Sequence, residues 1–281
     1  MNIAVVGADG QLGAELAWEL QREHTVFPLY HETFDLTNYA QMQEFFLTHD
    51  VNCVLNAAGL NDKESCEKNP LQAFAVNALG ARDLARLCQS SRAACIHISC
   101  DAIFDGEKEV PYVETDRPSP LTVYANSKVA GENFVLSECE KATVVRSGIL
   151  YGKHQRRDGS RNIVEEILLK ATKNPELYYS DSILICPTSA VALAKQICAF
   201  IADPPGGIIH ASCHGACSWC QFAQRIMSLT NNITPVFPAS QSSESLREPL
   251  FSALENRRLQ QLGLDVMPFW EEALHDYLHA E

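Results

Sequence analysis

The feature that most constrains the fold is a glycine-rich turn close to the start of the chain. Residues 7–13 read Gly-Ala-Asp-Gly-Gln-Leu-Gly and directly follow a short apolar run, Asn2–Val6. Glycines let the backbone turn tightly and approach a phosphate closely, and the free N–H groups of a following helix attract its negative charge. Because an amphipathic stretch, residues 11–23, follows the turn, the sequence predicts the phosphate-binding turn of a dinucleotide site.

Strand-like and helix-like segments alternate through the first half of the chain. Apolar, strand-like runs occupy residues 25–29, 51–57, 94–99 and 142–146. Helical patterns occupy residues 39–49, 70–90 and 124–140. Continuously apolar strands separated by helices are typical of a parallel sheet that is covered on both faces. The predicted fold class is therefore α/β, with a doubly wound parallel (Rossmann) sheet.

After residue 150 the alternation becomes less regular, which predicts a second, smaller unit. Helices are expected at residues 162–172, 189–201, 218–229 and 269–279. Residues 234–248, rich in Ser and Pro, are expected to form an irregular loop. We therefore expect a Rossmann domain at residues 1–150, to which some later segments return. Residues 151–281 should form mainly a smaller α/β lobe that completes a cleft.

Charge and composition exclude several classes of partner. A net charge of −13 repels nucleic-acid phosphates and anionic lipids, and an aspartate interrupts the densest basic stretch, at Arg156, Arg157 and Arg161. We therefore expect neither nucleic-acid nor membrane binding. The apolar run after Met1 breaks at Gly7, too early for a signal peptide or a membrane span, which predicts a cytoplasmic protein. The 11 cysteines are scattered and odd in number, as in a chain that is kept reduced.

A tyrosine and a lysine, Tyr124 and Lys128, stand one helical turn apart. On a helix, both side chains project from the same face. Reduction of a carbonyl needs a proton donor at the oxygen, and a neighbouring cation lowers the pKa of a tyrosine from about 10 toward neutrality. We therefore predict that Tyr124 is the proton donor, and that Lys128 lowers its pKa and holds the cofactor ribose.

The segment after the second strand bears on the choice of nicotinamide cofactor. An acidic residue there would hold the adenosine ribose of NAD, but residues 29–31 read Leu-Tyr-His, with neither a carboxylate nor an arginine. This composition favours NADP, or the use of both NADP and NAD, with a weak contribution from His31. Asp35, slightly downstream, is expected either to contact the adenine edge or to cap the next helix.

With the turn and the Tyr–Lys pair identified, the chain resembles the extended short-chain dehydrogenase/reductases, and most closely the dTDP-4-dehydrorhamnose reductase family. The matching segments follow in order along nearly the whole chain, at residues 7–13, 56–58, 75–81, 97–99, 104–106, 120–121, 130–132, 150–152, 187–188, 218–219 and 249–254. The resemblance implies a doubly wound sheet with a small C-terminal α/β lobe that closes over a nucleotide sugar. It also implies an oxidoreductase like those of dTDP-rhamnose biosynthesis, which reduces a 4-keto-6-deoxy sugar with NADPH or NADH.

The turn, the pair and the resemblance together imply a set of site residues. The expected catalytic residues are Tyr124, Lys128 and a group that positions the carbonyl, either Ser99 or Cys100. The residues expected at the cofactor are Gly7, Asp9, Gly10, Gln11, Leu12, Gly13, Tyr30, Asp35, Leu36, Ala57, Ala58, Asn77 and Lys128. The residues expected at the sugar are Asp101, Ile149 and Arg247.

Several positions on the substrate side depart from the family pattern. The family usually has Ser-Thr-Asp-Tyr where residues 99–102 read Ser-Cys-Asp-Ala, so the thiol of Cys100, a weak donor, replaces a hydroxyl. Ile149 and Ile183 stand where the family has a tryptophan and a glutamine. The arginine expected before Pro249 is replaced by a glutamate, with Arg247 one place earlier.

These departures leave two functions open. The first is a reductase of a nucleotide sugar, which the intact Tyr–Lys pair favours. The second is a binding module, because the fold also resembles the regulatory beta subunit of methionine adenosyltransferase, which keeps the cofactor site and serves as a partner protein. The oligomeric state is also left open, a homodimer included.

Five potential metal ligands lie close together in the sequence: His210, Cys213, His214, Cys217 and Cys220. The Cys-x-x-Cys spacing suits zinc, but no second pair accompanies it, and the corresponding segment of the family carries no metal. We therefore expect no metal here. The resemblance instead implies a strand that ends near His210, Cys213 in a loop, and Cys220 buried on the following helix.

Overall fold

The computed structural model describes residues 1–154, 159, 161–239 and 249–279. Its strands are β1 (Asn2–Val6), β2 (Thr25–Leu29), β3 (Cys53–Asn56), β4 (Ala94–Cys100), β5 (Ala142–Ser147), β6 (Leu150–Tyr151), β7 (Leu177–Ser180), β8 (Leu184–Ile185), β9 (Thr188–Ser189), β10 (Gly207–His210), β11 (Cys217–Ser218) and β12 (Val236–Ala239). Its α-helices are α1 (Gln11–Leu20), α2 (Tyr39–Thr48), α3 (Lys63–Lys68), α4 (Pro70–Phe74), α5 (Ala81–Ser91), α6 (Val123–Glu138), α7 (Ile163–Lys173), α8 (Ala190–Phe200), α9 (Trp219–Leu229), α10 (Arg257–Leu262) and α11 (Trp270–His279). A π-helix, Ala75–Gly80, joins α4 to α5, and a short 3₁₀ helix, Asp101–Ile103, follows β4.

Six parallel strands form the central sheet, in the order β10-β5-β4-β3-β1-β2. Alternate residues of β1 face opposite layers: Ile3 and Val5 pack with α1 and α8, whereas Ala4 and Val6 pack with α2, α5 and α6. The doubly wound α/β fold predicted from the sequence is therefore confirmed. The strand order reverses between β1 and β3, and a parallel sheet opens a crevice at its carboxyl edge where this happens.

The later part of the chain builds a second hydrophobic core. Residues of α7, α9 and α11 pack around Tyr151, Phe222 and Trp270. In contrast, α8 packs on α1 beside the central sheet, and β10 pairs with β5 as a strand of that sheet. These two later elements therefore belong to the first core. The proposed division at residue 150 remains a prediction. Within the described ranges, no helix combines the length and apolar character needed to cross a membrane.

Two expectations about local structure are wrong. The helix expected at residues 70–90 is interrupted by the π-helix, which adds a residue per turn and rotates the later side chains. An unbroken helix would place Leu79, Leu84 and Leu87 on one side, but Leu79 is 42% exposed while Leu84 and Leu87 are buried. The loop expected at 234–248 contains β12, because residues Val236–Ala239 pair with β7. Residues 240–248 lie outside the described part of the chain.

A buried ion pair ties α6 to the sheet. Arg146 on β5 donates hydrogen bonds to the carboxylate of Glu132 on α6, with Nη2 2.7 Å and Nε 3.0 Å from its oxygens. The two side chains are only 1% and 2% exposed. The Arg146 guanidinium also lies over the Phe104 ring, 5.5 Å from its centroid. Loss of either partner would leave an uncompensated charge in the core.

We predict that Glu132→Ala lowers the free energy of unfolding by about 3–5 kcal/mol, because Arg146 is then buried without a counter-charge. Urea denaturation measures the change. Glu138→Ala is the matched control, since Glu138 lies on the same helix and pairs with Arg86, with exposed fractions of 28% and 48%. That control should change stability by less than about 1 kcal/mol. Equal losses in the two variants would contradict the prediction.

Candidate active site

A cavity of about 1130 Å³ opens at the carboxyl ends of β1, β3, β4 and β5, where the strand order reverses. Pockets for one small ligand usually measure about 300–1,000 Å³. The cavity therefore has room for a dinucleotide together with a second ligand. Its lining comes from both cores, with the glycine turn at one side and residues of α7, β8 and α9 at the other.

The glycine turn closes tightly around the start of α1. Gly7 has φ +79°, and a Cβ on it would lie 2.8 Å from the backbone of Ala58. A Cβ on Gly13 would lie 2.0 Å from the Gly7 carbonyl oxygen, so α1 can approach β1 only with glycine here. Gly10, at the N-cap of α1, has no side chain with which to cap the helix, and Gln11 and Leu12 line the cavity. Backbone N–H groups at this helix end suit a phosphate group.

The carboxylate of Asp9, in the glycine turn, lies next to the end of β2, where the chain itself has no acidic residue. The Asp9 carboxylate accepts a hydrogen bond from the backbone N–H of His31 at 3.4 Å, so the glycine turn supplies an acidic group to this region. Asp35 lines the cavity, and its carboxylate accepts hydrogen bonds from the backbone N–H and hydroxyl of Thr37. These bonds hold the pKa of Asp35 below its usual value. The capping alternative for Asp35 is wrong, because Asn38 caps α2.

The structure brings most of the predicted site residues to one cavity. Those that line it are Gly7, Asp9, Gly10, Gln11, Leu12, Asp35, Leu36, Ala57, Ala58, Ser99, Cys100, Asp101, Tyr124, Lys128 and Ile149. Gly13, Tyr30 and Asn77 lie outside the lining. Arg247 falls outside the described residues, so its predicted role stays a prediction.

Asn77 instead connects three elements behind the cavity. Its side-chain oxygen accepts a hydrogen bond from the Leu60 N–H at 2.8 Å. Its amide nitrogen donates to the Leu60 carbonyl at 3.0 Å and to the Ser127 hydroxyl at 2.9 Å. The side chain is buried, so Asn77 fixes the loop after β3 against α6.

Tyr124 and Lys128 both lie on α6, which begins after Thr122, whose hydroxyl oxygen accepts a hydrogen bond from the Ala125 N–H. The Lys128 ammonium donates to the Ile98 carbonyl at 2.7 Å, and burial lowers its pKa. The pKa of Tyr124 is raised well above its usual value, chiefly by burial and further by Cys100. The pKa shift is therefore opposite in direction to the lowering that the sequence predicts, because burial of the phenolate dominates it.

Three consecutive polar residues at the end of β4, Ser99, Cys100 and Asp101, line the same cavity as Tyr124. The Ser99 hydroxyl has no hydrogen-bond partner within the described part of the chain, although it is buried. Cys100 is in hydrogen-bonding contact with the Tyr124 hydroxyl, and burial raises the pKa of its thiol to about 11. Asp101 accepts a hydrogen bond from the Ser252 hydroxyl at 2.7 Å, and burial raises its pKa to about 6.

Sequence reasoning missed the part of the lining that comes from other segments. These residues include Lys63, Arg161, Ile163, Glu166, Ile185, Trp219 and Ser252. They come from α3, α7, β8, the start of α9 and two loops, and no spacing pattern links them along the chain. Trp219 and Ser252 lie in segments that match the family, and Ile183 departs from the family pattern, but the sequence assigned none of the three to the cavity.

The segment with clustered histidines and cysteines serves packing. β10 ends at His210 and α9 begins at Trp219, as the resemblance implied, with Cys213 and Cys220 buried. His210 Nδ1 contacts the Tyr112 carbonyl at 3.1 Å, whereas His214 lies 3.3 Å from the Asp265 carboxylate. Across the described ranges, no group of three or more His, Cys, Asp or Glu side chains is placed to hold a metal ion.

We predict that Asp101→Asn makes the protein more stable at pH 8. Because the folded-state pKa of about 6 exceeds the usual 3.8, the parent protein loses stability as pH rises through this interval. The variant escapes this loss, so its free energy of unfolding should exceed that of the parent by up to about 3 kcal/mol at pH 8 and match it near pH 4.

Urea denaturation at both pH values measures this difference. Asp105→Asn is the control of opposite sign, since the Tyr112 hydroxyl donates to Asp105 at 2.8 Å and lowers its pKa. It should be less stable than the parent at pH 8. An Asp101→Asn protein that is less stable than the parent at pH 8 would contradict a raised pKa of Asp101.

The whole chain, residues 1–281, matches the family model described as RmlD substrate binding domain. Spore coat polysaccharide biosynthesis protein SpsK of Bacillus subtilis is 30% identical over 280 residues, which cover 99% of this chain and 96% of that protein. A crystal structure of a dTDP-4-dehydrorhamnose reductase from Clostridium acetobutylicum is 32% identical, with a TM-score of 0.94 and coverage of 99% and 98%. Another, from Bacillus anthracis in complex with NADP, is 31% identical, with a TM-score of 0.93 and the same coverage. The chain therefore belongs to the RmlD substrate binding domain family, the family of the dTDP-4-dehydrorhamnose reductases.

Proposed function

We propose that this chain is an NAD(P)H-dependent reductase that converts the 4-keto group of a nucleotide-activated 6-deoxy sugar to an alcohol. The proposal rests on one cavity, because the glycine turn after β1 and the side chains of Tyr124, Cys100 and Lys128 all line it. Relatives that are dTDP-4-dehydrorhamnose reductases favour this function over a regulatory binding subunit.

A nicotinamide dinucleotide fits the groups at one side of the cavity. The turn supplies backbone N–H groups and the close approach that a pyrophosphate needs, which only glycine at residues 7 and 13 permits. When bound, the cofactor supplies a hydride to the carbonyl carbon. We assign Gly7, Gly10 and Gln11 to the pyrophosphate, and Lys128 to the ribose next to the nicotinamide.

The finer assignments stay proposals. A preference for NADP would use His31, which lines the cavity after β2 and can donate a hydrogen bond to a 2′-phosphate. A cytoplasmic location and a homodimer are kept as predictions from the sequence. Asn77 is assigned to positioning, because both ends of its amide are engaged by Leu60 and Ser127.

Tyr124 donates the proton that the carbonyl oxygen needs. Its raised pKa keeps the phenol protonated until negative charge develops on the substrate oxygen during reduction. Lys128, one turn further along α6, stabilises the phenolate that remains. The Lys128 ammonium has three N–H groups, one of which it donates to Ile98.

Ser99 and Cys100 are the groups that hold the substrate carbonyl. The Ser99 hydroxyl has no partner among the described residues, which favours a direct hydrogen bond from Ser99 to the carbonyl. Cys100 stays a thiol at neutral pH, because its pKa is about 11, and it contacts the Tyr124 hydroxyl. Asp101, held by Ser252, is assigned to the sugar, together with Ile149 and Arg247.

We predict that Tyr124→Phe lowers kcat by about 10²–10⁴-fold, because the only change is loss of the proton donor. The dissociation constant for NADPH, measured by fluorescence titration, should stay unchanged. Tyr39→Phe is the control, since Tyr39 lies exposed on α2 and should keep full activity. A fully active Tyr124→Phe enzyme would remove Tyr124 from the mechanism.

We also predict that Cys100→Ser raises kcat/KM by about 2–12-fold, the effect of one better hydrogen bond of about 0.5–1.5 kcal/mol. Steady-state oxidation of NADPH with a 4-keto-6-deoxy nucleotide sugar measures it. Cys100→Ala should change kcat/KM in the opposite direction. If serine and alanine have the same effect, Ser99 alone holds the carbonyl.

A further inference from the structure

The Asp9 side chain is held at the carboxyl end of β2. The backbone N–H groups of Gly7 and Ala8 donate to the Leu29 carbonyl at 3.0 and 3.1 Å, so the glycine turn is fastened to the last residue of that strand. Asp9 follows directly, and its carboxylate accepts the hydrogen bond from the His31 N–H. The turn therefore carries a carboxylate across from β1 to the point where β2 ends.

This part of the cavity, lined by the glycine turn and by residues from 31 to 36, contains more acidic than basic side chains. Asp9, Asp35 and His31 line it together. The pKa of Asp35 is lowered chiefly by the Thr37 N–H and also by His31, so the imidazole lies near that carboxylate. Because His31 is exposed, salt and solvent screen its attraction for a phosphate. The lysines and the arginine of the described lining belong to other segments, at α3, α6 and residue 161.

A carboxylate in this place distinguishes the two nicotinamide dinucleotides. They differ at the 2′ position of the adenosine ribose, where NADH has a hydroxyl group and NADPH has a phosphate group. A hydroxyl group can donate a hydrogen bond to a carboxylate, which only accepts. A phosphate group carries a charge of about −1.5 to −2 at pH 7, which a carboxylate repels. In doubly wound sheets this choice is made at the end of β2, which is where the Asp9 carboxylate lies.

We infer that Asp9 sets the cofactor preference of this chain, which binds NADH more tightly than NADPH. The Asp9 carboxylate accepts a hydrogen bond from the 2′-hydroxyl of NADH and opposes the 2′-phosphate of NADPH. This inference rests on the proposed function, because it requires a dinucleotide at the glycine turn. It differs from the preference that the composition of residues 29–31 favours, since the carboxylate comes from the turn and not from the strand.

The dissociation constants of NADH and NADPH, measured by fluorescence titration of the parent protein, test the preference without turnover. NADH should bind about 10-fold more tightly than NADPH or better, the effect of one hydrogen bond to a charged group. Asp9→Asn keeps the shape of the side chain and an oxygen for the His31 N–H, but it removes the charge. This variant should bind NADPH more tightly and shift the ratio of the two constants toward NADPH by about 10–100-fold.

Glu32→Gln is the matched control. It removes one negative charge from the same segment, at an exposed residue outside the cavity lining. The ratio of the two dissociation constants should stay unchanged in this variant, because salt screens exposed charges. An equal shift in Asp9→Asn and Glu32→Gln would overturn the role of Asp9, since net charge alone would then set the preference.

The remaining outcomes separate this inference from the proposed function. Equal or tighter binding of NADPH by the parent protein, or an unchanged ratio in Asp9→Asn, would overturn the role of Asp9 while the reductase function stands. Failure of the folded parent protein to bind either dinucleotide would overturn the proposed function itself. The comparison of the two cofactors on the parent protein needs no variant, so it tests the preference even if Asp9→Asn does not fold.

Discussion

The site depends on how closely α6 is held against its neighbours, because this helix carries both Tyr124 and Lys128. The buried pair between Glu132 and Arg146 joins the helix to β5. A Cβ on Gly131 would lie 2.2 Å from the Asn77 carbonyl oxygen, so the helix also contacts the π-helix backbone directly. A buried ion pair is weak evidence for stability but strongly disfavours a shifted helix, because any shift would separate the two charges.

Burial sets the proton chemistry of the cavity. The pKa values of Tyr124, Cys100 and Asp101 are all raised, chiefly because their charged forms would lose water. The phenol and the thiol therefore stay protonated at neutral pH, and the carboxyl group titrates near pH 6. A reductase consumes a proton at the substrate oxygen, so a site that retains protons suits this direction of reaction.

The errors of sequence reasoning have physical causes. A π-helix adds a residue to one turn without any change in hydrophobic pattern, so the exposed position of Leu79 was not foreseen. The strand at Val236–Ala239 forms because β7 offers it a partner, which its Ser- and Pro-rich surroundings concealed. The pKa of Tyr124 depends on the depth of its burial, and spacing along the chain says only that Lys128 is near.

The sequence by itself determined the architecture and the half of the cavity that the glycine turn lines. Apolar periodicity and the glycine turn are local patterns, and the turn has one workable geometry because Gly7 and Gly13 touch backbone atoms. Only the tertiary structure decided the other half, since Ser252 meets Asp101 from 151 positions away and Ile183 lines the same cavity as the glycine turn. Contacts between distant segments leave no periodic or spacing signal in a single sequence, because they depend on how the two cores pack together.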